Sequence, residues 1–305
     1  MLRSDLSRLQ AILLALFVTF LWSTSWVLIK LVIDDIPALT FAGLRYALAA
    51  LVLLPFALRR GLLPALRSAP APLRWRLVGL GLLMYAATQG AQFWALATLP
   101  AVTASLLYNF TTPLVALFGL AALGERLVGR QWLGIGVFLG GVLIYFTPDA
   151  LPAAYVPGLL IAGLGVLANA GATLIGRGVN REAGLDPLHV TAFSMLVGAP
   201  PLLVAGVAWQ GLPPISALGW AIIVWMAVVN GALAFTLWNR ALRTLPAAEA
   251  SIINNTMLIQ IAALAWLFLG EQPGPRGLLG LALAALGALL VQWRGRITWV
   301  RITRA

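Results

Sequence analysis

The side chains in this sequence that are capable of chemistry lie mostly inside apolar runs, and they are amides, hydroxyls and indoles rather than acids or nucleophiles. One run carries Trp22, Trp26 and Lys30 at intervals of four, with Ser23 and Ser25 between them. Another carries Tyr85, Gln89 and Gln92 on one helical face, with Trp94 nearby. A third sets Ser105, Tyr108, Asn109 and Thr112 at positions i, i+3, i+4 and i+7 of a single face. Ser251, Asn254 and Asn255 repeat that pattern further along, and Asn169, Thr173, Asn230 and Trp238 complete the set. Aromatic faces mixed with a few amides suit a solute with an apolar body and one polar end, and suit a phosphate poorly. The same amides and hydroxyls also suit hydrogen bonding between neighbouring helices. Sequence leaves both roles open.

Other chemistries lack their residues. The chain has no cysteine and one histidine, His189, so neither a thiolate nor a multi-histidine metal site can form, and no cofactor is expected. No Ser-His or paired-Asp constellation suggests an intramembrane enzyme, no ring of charges suggests a channel, and no Walker motif suggests use of ATP. Glu125 and Glu271 close apolar runs and Glu249 opens one, which leaves the middle of every run without a carboxylate. Proton-coupled carriers often use a buried carboxylate, so movement down a gradient is favoured over proton exchange. Arg45 lies within an apolar run and has three readings: snorkelling to the membrane surface, pairing with Asp34 or Asp35, or meeting a substrate carboxylate. His189 opens a run at its edge and reads as interfacial.

The apolar runs are the elements that must position these residues. Of the residues, 61% are hydrophobic and only 10% charged, whereas soluble domains carry about 25% charged residues. Ten candidate membrane spans follow from the pattern: Ala11 to Ile33, Leu39 to Leu58, Leu77 to Leu99, Ala101 to Leu123, Gln131 to Phe146, Tyr155 to Gly176, Pro187 to Ala208, Ala217 to Leu237, Ala247 to Leu269 and Gly277 to Trp293. They are numbered spans 1 to 10 below. The first reads as a retained helix rather than a signal peptide, because it runs to Ile33 with no small-residue cleavage site after it. Trp132, Trp293 and Trp299 read as interfacial anchors. Pro113 should interrupt span 4, and Gly136 and Gly140 should allow close helix approach.

Charge sets the orientation. Of the 20 Lys and Arg residues, 17 fall on alternate connections: Arg3, Arg8, Arg59, Arg60, Arg67, Arg74, Arg76, Arg126, Arg130, Arg177, Arg181, Arg240, Arg243, Arg294, Arg296, Arg301 and Arg304. The opposite connections hold Lys30 and Arg276. The positive-inside rule then puts both termini in the cytoplasm, and it accounts for the net charge of +11 without a nucleic-acid partner.

The chain also repeats itself. ALATLPAVTASLLYN from Ala95 matches ALRTLPAAEASIINN from Ala241, an offset of 146 residues that holds without a gap from Ala95 to Glu125. Thirteen of the 31 pairs are identical, including Thr, Pro, Ser, Asn, Gly and Glu. The offset joins spans 4 and 9, five apart, so the halves at 1–150 and 151–305 must cross the membrane in opposite senses. Inverted repeats of this kind are the architecture of many secondary transporters.

The ten-span layout, the duplicated halves, and the Gly124-Glu125-Arg126 and Gly270-Glu271-Gln272 turns resemble the drug/metabolite transporter superfamily. Over nearly the full length the chain is similar to EamA-type ten-helix bacterial exporters, most of all the aromatic amino-acid exporters. The resemblance implies an all-α integral membrane protein of the bacterial inner membrane, with a central cavity lined by spans 1, 3, 4, 6, 8 and 9 and with spans 5 and 10 peripheral. It implies export of small amphipathic metabolites by alternating access, as a monomer or homodimer in the lipid bilayer. The residues expected to bind substrate are Trp22, Trp26, Tyr85, Gln89, Tyr108, Asn109, Asn169, Trp238, Asn254 and Asn255.

Overall fold

The structure is a computed structural model that describes residues 6–123, 127–146, 152–182, 185–242, 244–245 and 247–292. Side chains at 119–123, 177, 180–182, 239, 242, 247–249 and 251 are outside that description. Glu125, the Glu249 and Ser251 side chains and the C-terminal tail with Trp293 and Trp299 therefore lie outside that description.

The described residues fold into α, π and 3-10 helices without strands. Nothing in hydrocarbon can replace the backbone's water hydrogen bonds, so each apolar run must satisfy its own backbone as a helix. Among the described residues, nine helices are long and apolar enough to span a membrane. The remaining long run is span 3 at residues 71–98, whose apolar character is diluted by Gln89 and Gln92. Large apolar side chains such as Phe17, Leu51, Leu143, Leu160 and Leu267 are exposed on the outside of the bundle. That is the surface a membrane protein offers to lipid. A short helix, Leu62–Ser68, follows span 2 on the arginine-rich side.

Three spans depart from regular α-helix. Span 4 breaks at Asn109 and Phe110 between helices Ala101–Tyr108 and Thr111–Leu123. Pro113, one turn later, has no N–H for the Asn109 carbonyl, and Thr112 N–H bonds that oxygen instead at 3.1 Å. Spans 3 and 8 each contain a π-helical segment, Leu82–Thr88 and Met226–Leu233. These are corresponding positions in the two halves, each in the third span. π-turns inside α-helices often mark functional sites, and nothing in the apolar periodicity announces them.

Connections assigned by charge to one side lie together. Leu39 N–H donates to Gln210 Oε1 at 2.7 Å and Thr40 Oγ1 donates to Gly211 O at 2.8 Å, joining the ends of spans 2 and 7. On the arginine-rich side, Arg60 reaches Asp186 at 3.3 Å.

The inverted repeat is visible where spans 5 and 10 meet. Gly134 packs on Gly287 and Val291, and Gly141 packs on Gly280 and Ala284, so the two helices run antiparallel. Gly134 and Gly280, and likewise Gly141 and Gly287, are 146 residues apart. Each contact therefore has its mirror image across a pseudo-two-fold axis through this interface. This corrects the expectation for Gly136 and Gly140, which have nothing within 4 Å of their β-positions. Both lie on the outer face of the same helix.

Asp186 caps the helix Pro187–Gln210, accepting from Leu188 N–H at 2.9 Å. Burial works to raise its pKa, but the Leu188 N–H and the Arg60 guanidinium outweigh it and hold the carboxyl below the ordinary range. A depressed native pKa stabilises the fold above the unfolded value, and the benefit is lost as pH falls through the native value. D186N keeps a side-chain oxygen for the Leu188 N–H and loses only the charge facing Arg60 and the helix start, so it is expected to cost about 0.5 kcal/mol at neutral pH, with the difference from the wild type closing at acid pH. Thermal unfolding in detergent at a series of pH values checks this.

Candidate functional site

Span 1 is the spine along which two aromatic clusters are stacked. Trp22 and Trp26 sit one helical turn apart and turn to different neighbours. Trp22 lies 5.2 Å, ring to ring, from both Phe235 and Trp238 of span 8. Its indole N–H donates to Asn230 O at 3.0 Å, which fixes the ring. Asn230 is fully buried; its side-chain amide donates to Leu21 O, to Ser25 Oγ at 2.7 Å and to Thr24 Oγ1 at 3.3 Å. The π-helical segment of span 8 is therefore tied to span 1 beside its aromatic contact.

Trp26 meets Tyr108 of span 4 edge-on at 6.0 Å. The Tyr108 hydroxyl donates to Thr88 O at 3.0 Å, inside the π-helical segment of span 3. It also passes over Gly165 of span 6, where a β-carbon would stand 2.2 Å from that hydroxyl, so spans 3, 4 and 6 converge on one tyrosine. Three residues before Thr88, Tyr85 is buried and packs on Tyr46 of span 2 at 5.5 Å. Beyond Tyr46 comes Arg45, whose guanidinium lies 4.8 Å over the Tyr46 ring and 5.7 Å over Phe93. Gln89, one turn from Tyr85, is half-buried and has no hydrogen-bond partner among the described residues.

The expected site residues thus divide. Trp22 and Trp238 form one cluster; Trp26, Tyr85 and Tyr108 belong to the other, with Gln89 beside it. The asparagines lie elsewhere, and three of the four have protein partners. Asn109 bonds back to Ser105 O at 2.8 Å. Asn169 donates to Thr111 Oγ1 at 3.1 Å, joining spans 6 and 4. Asn255 donates to Gln292 Oε1 at 2.8 Å, and Gln292 donates to Thr112 Oγ1 at 3.1 Å, linking spans 9, 10 and 4. Asn254 is exposed and joins neither cluster.

Sequence reasoning passed over Tyr46 and Gln260. Gln260 of span 9 accepts from Ser23 Oγ at 2.9 Å and donates to Thr19 Oγ1 at 3.2 Å, tying spans 1 and 9 together. A glutamine deep in an apolar run was the available signal. Arg45 is not paired with Asp34 or Asp35, which are exposed at the turn between spans 1 and 2. It does not snorkel either, since only 6% of it is exposed. His189 is buried in the first turn of its helix, at the arginine-rich edge where the sequence placed it.

Known proteins place this arrangement. The EamA-like transporter family matches twice, over residues 9–147 and 156–293. The S-adenosylmethionine/S-adenosylhomocysteine transporter of Chlamydia trachomatis serovar L2 is 25% identical, covering 92% of this chain and 89% of its own. A probable terminal-alkyne amino-acid exporter of Streptantibioticus cattleyicolor is 29% identical over 66% of this chain and 67% of its own. One crystal structure, at 21% identity, superposes with a TM-score of 0.67 over 93% of this chain and 96% of that one, a likeness of fold. The two matched segments are the inverted halves seen in the structure, and the chain belongs to the EamA-like transporter family.

Proposed function

We propose that this protein is a secondary exporter of small amphipathic metabolites, amino acids with apolar or aromatic side chains foremost. It moves them by alternating access, without ATP and without obligatory proton exchange. The observation that carries the reading is the pair of aromatic clusters strung along span 1 between the two inverted halves. Rings there offer apolar faces to a solute body, and Gln89 offers an amide with no partner of its own. Both named relatives handle molecules that contain an α-amino acid group, which supports the substrate class.

In this reading the halves at 1–150 and 151–305 rock against each other about the axis through spans 5 and 10. Trp22, Trp26, Tyr85, Gln89, Tyr108 and Trp238 contact the solute. Asn109, Asn169, Asn254 and Asn255 complete the lining as the halves move and their present bonds exchange. The protein sits in a bacterial inner membrane, as monomer or homodimer, with both termini cytoplasmic, an orientation the arginine distribution supports.

Counterflow of labelled phenylalanine, leucine and tryptophan in proteoliposomes tests it. Saturable exchange should appear, and it should persist when the pH gradient is collapsed. Proton flux that strictly accompanies solute would establish the antiporter reading instead, and turnover of a lipid or peptide would mark an enzyme.

A further inference from the structure

Arg45 is a cation held inside the bundle without an anion. Only 6% of it is exposed, its Nε is buried with no hydrogen-bond partner, and no carboxylate among the described residues pairs with it. Among the described residues it packs on the faces of Tyr46 and Phe93. Two phenols without partners follow it, Tyr46 against the guanidinium and Tyr85 against the Tyr46 ring. Tyr46 is 4% and Tyr85 6% exposed, their rings are 5.5 Å apart, and neither hydroxyl has a hydrogen-bond partner among the described residues. Leaving a buried donor unmatched costs about 1–3 kcal/mol, more for a charged one. The buried Arg45 Nε is such a donor, and with aromatic faces packing the cation's flanks and the unpartnered Tyr46 and Tyr85 phenols following it, it forms a donor set awaiting an acceptor.

We propose that Arg45, with the hydroxyls of Tyr46 and Tyr85, binds the carboxylate of the transported solute. A carboxylate fits because its two oxygens match the guanidinium fork. It brings one negative charge to one positive charge and accepts from two phenols. The solute's apolar body then extends toward Trp26 and Tyr108, which adjoin through the Tyr108 bond to Thr88. The assignment rests on the reading of the chain as an amino-acid exporter and specifies which end of the solute is recognised.

The test compares labelled phenylalanine with labelled phenylalaninamide, which lacks the carboxylate, in counterflow by the full-length protein. The wild type should prefer the acid. R45M should raise KM for phenylalanine by about tenfold to a hundredfold, the weight of a lost charged hydrogen bond, and leave uptake of the amide unchanged. Y46F and Y85F keep the rings and remove only the hydroxyls, so they report even where R45M fails to fold. Each should raise KM for the acid severalfold and not for the amide. Equal loss for both solutes in all three variants would make Arg45 a packing residue and overturn the assignment, as would unchanged KM for the acid. Equal handling of acid and amide by the wild type would overturn this subsite while sparing the transporter reading. Absence of any amino-acid counterflow by the wild type would overturn both.

Discussion

Replacing Gly141 with leucine is expected to destabilise the folded protein by about 3 kcal/mol, the upper end of what overpacking a buried contact costs. A β-carbon there would stand 2.5 Å from Ala284 N and 2.6 Å from Gly280 O. Both obstacles are backbone, so no rotamer relieves the clash and the two helices must separate. Apolar side chains gain little by leaving lipid for a helix interface. Association in a bilayer therefore depends on close backbone approach at small residues, and separation forfeits it. By the pseudo-two-fold symmetry, Gly287→Leu should cost a similar amount. Gly136→Leu and Gly140→Leu, on the same helix but in open space, should cost nothing measurable. Unfolding midpoints in detergent for the four variants decide the matter: equal midpoints would show that spans 5 and 10 do not hold the bundle together.

That contrast shows what the sequence could and could not convey. Apolar runs bounded by arginines locate the spans, because a chain in hydrocarbon has no alternative to the helix. The 146-residue offset also shows that the halves are inverted. Neither signal specifies rotation about a helix axis. Gly134, Gly136, Gly140 and Gly141 look alike in sequence, and only the partner helix separates those that touch it from those that do not. The same blindness applies to the site. Trp22, Trp26, Tyr85 and Tyr108 stood out because an aromatic or polar side chain at mid-span needs a reason. Tyr46 did not, since its importance comes from facing Tyr85 across two helices. The repeat misleads as well as informs. Asn109 and Asn255 are equivalent by offset, yet one bonds its own helix and the other bridges three spans. The π-helical segments leave no trace in a pattern of period 3.6, because one residue inserted into a turn shifts the register without changing composition.

Glu271 gives the second large effect, a loss of both stability and transport on replacement by alanine. It follows Gly270, a left-handed helix end with φ +67°, and so reads from sequence as the close of span 9. Its side chain does something else. Oε1 accepts from Ala101 N–H at 2.7 Å and Oε2 from Val102 N–H at 2.9 Å, so one carboxylate caps the start of span 4 in the opposite half. Span 4 has no cap of its own, because Pro100 precedes it and supplies no side-chain acceptor. Two helix N–H groups would otherwise lack partners next to the membrane, and the positive end of the helix dipole would lack its counter-charge. The signal was present in the sequence: a helix start with no Ser, Thr, Asp or Asn, and a carboxylate on the repeated Gly-Glu turn. Hydrogen bonds to a charged group contribute about 1.5–3 kcal/mol each, so Glu271→Ala should lower stability by about 2–3 kcal/mol after water partly replaces the carboxylate. Glu271→Gln keeps one oxygen and turns an amide N–H₂ toward the other donor, so it should fall between alanine and wild type. The bond crosses from one half to the other, so its loss should also change transport in proteoliposomes at temperatures where the variant remains folded. Normal counterflow by a folded Glu271→Ala protein would reduce the contact to a local cap. Impaired counterflow with an unshifted unfolding midpoint would show instead that it acts on the movement of the halves and not on the stability of span 4.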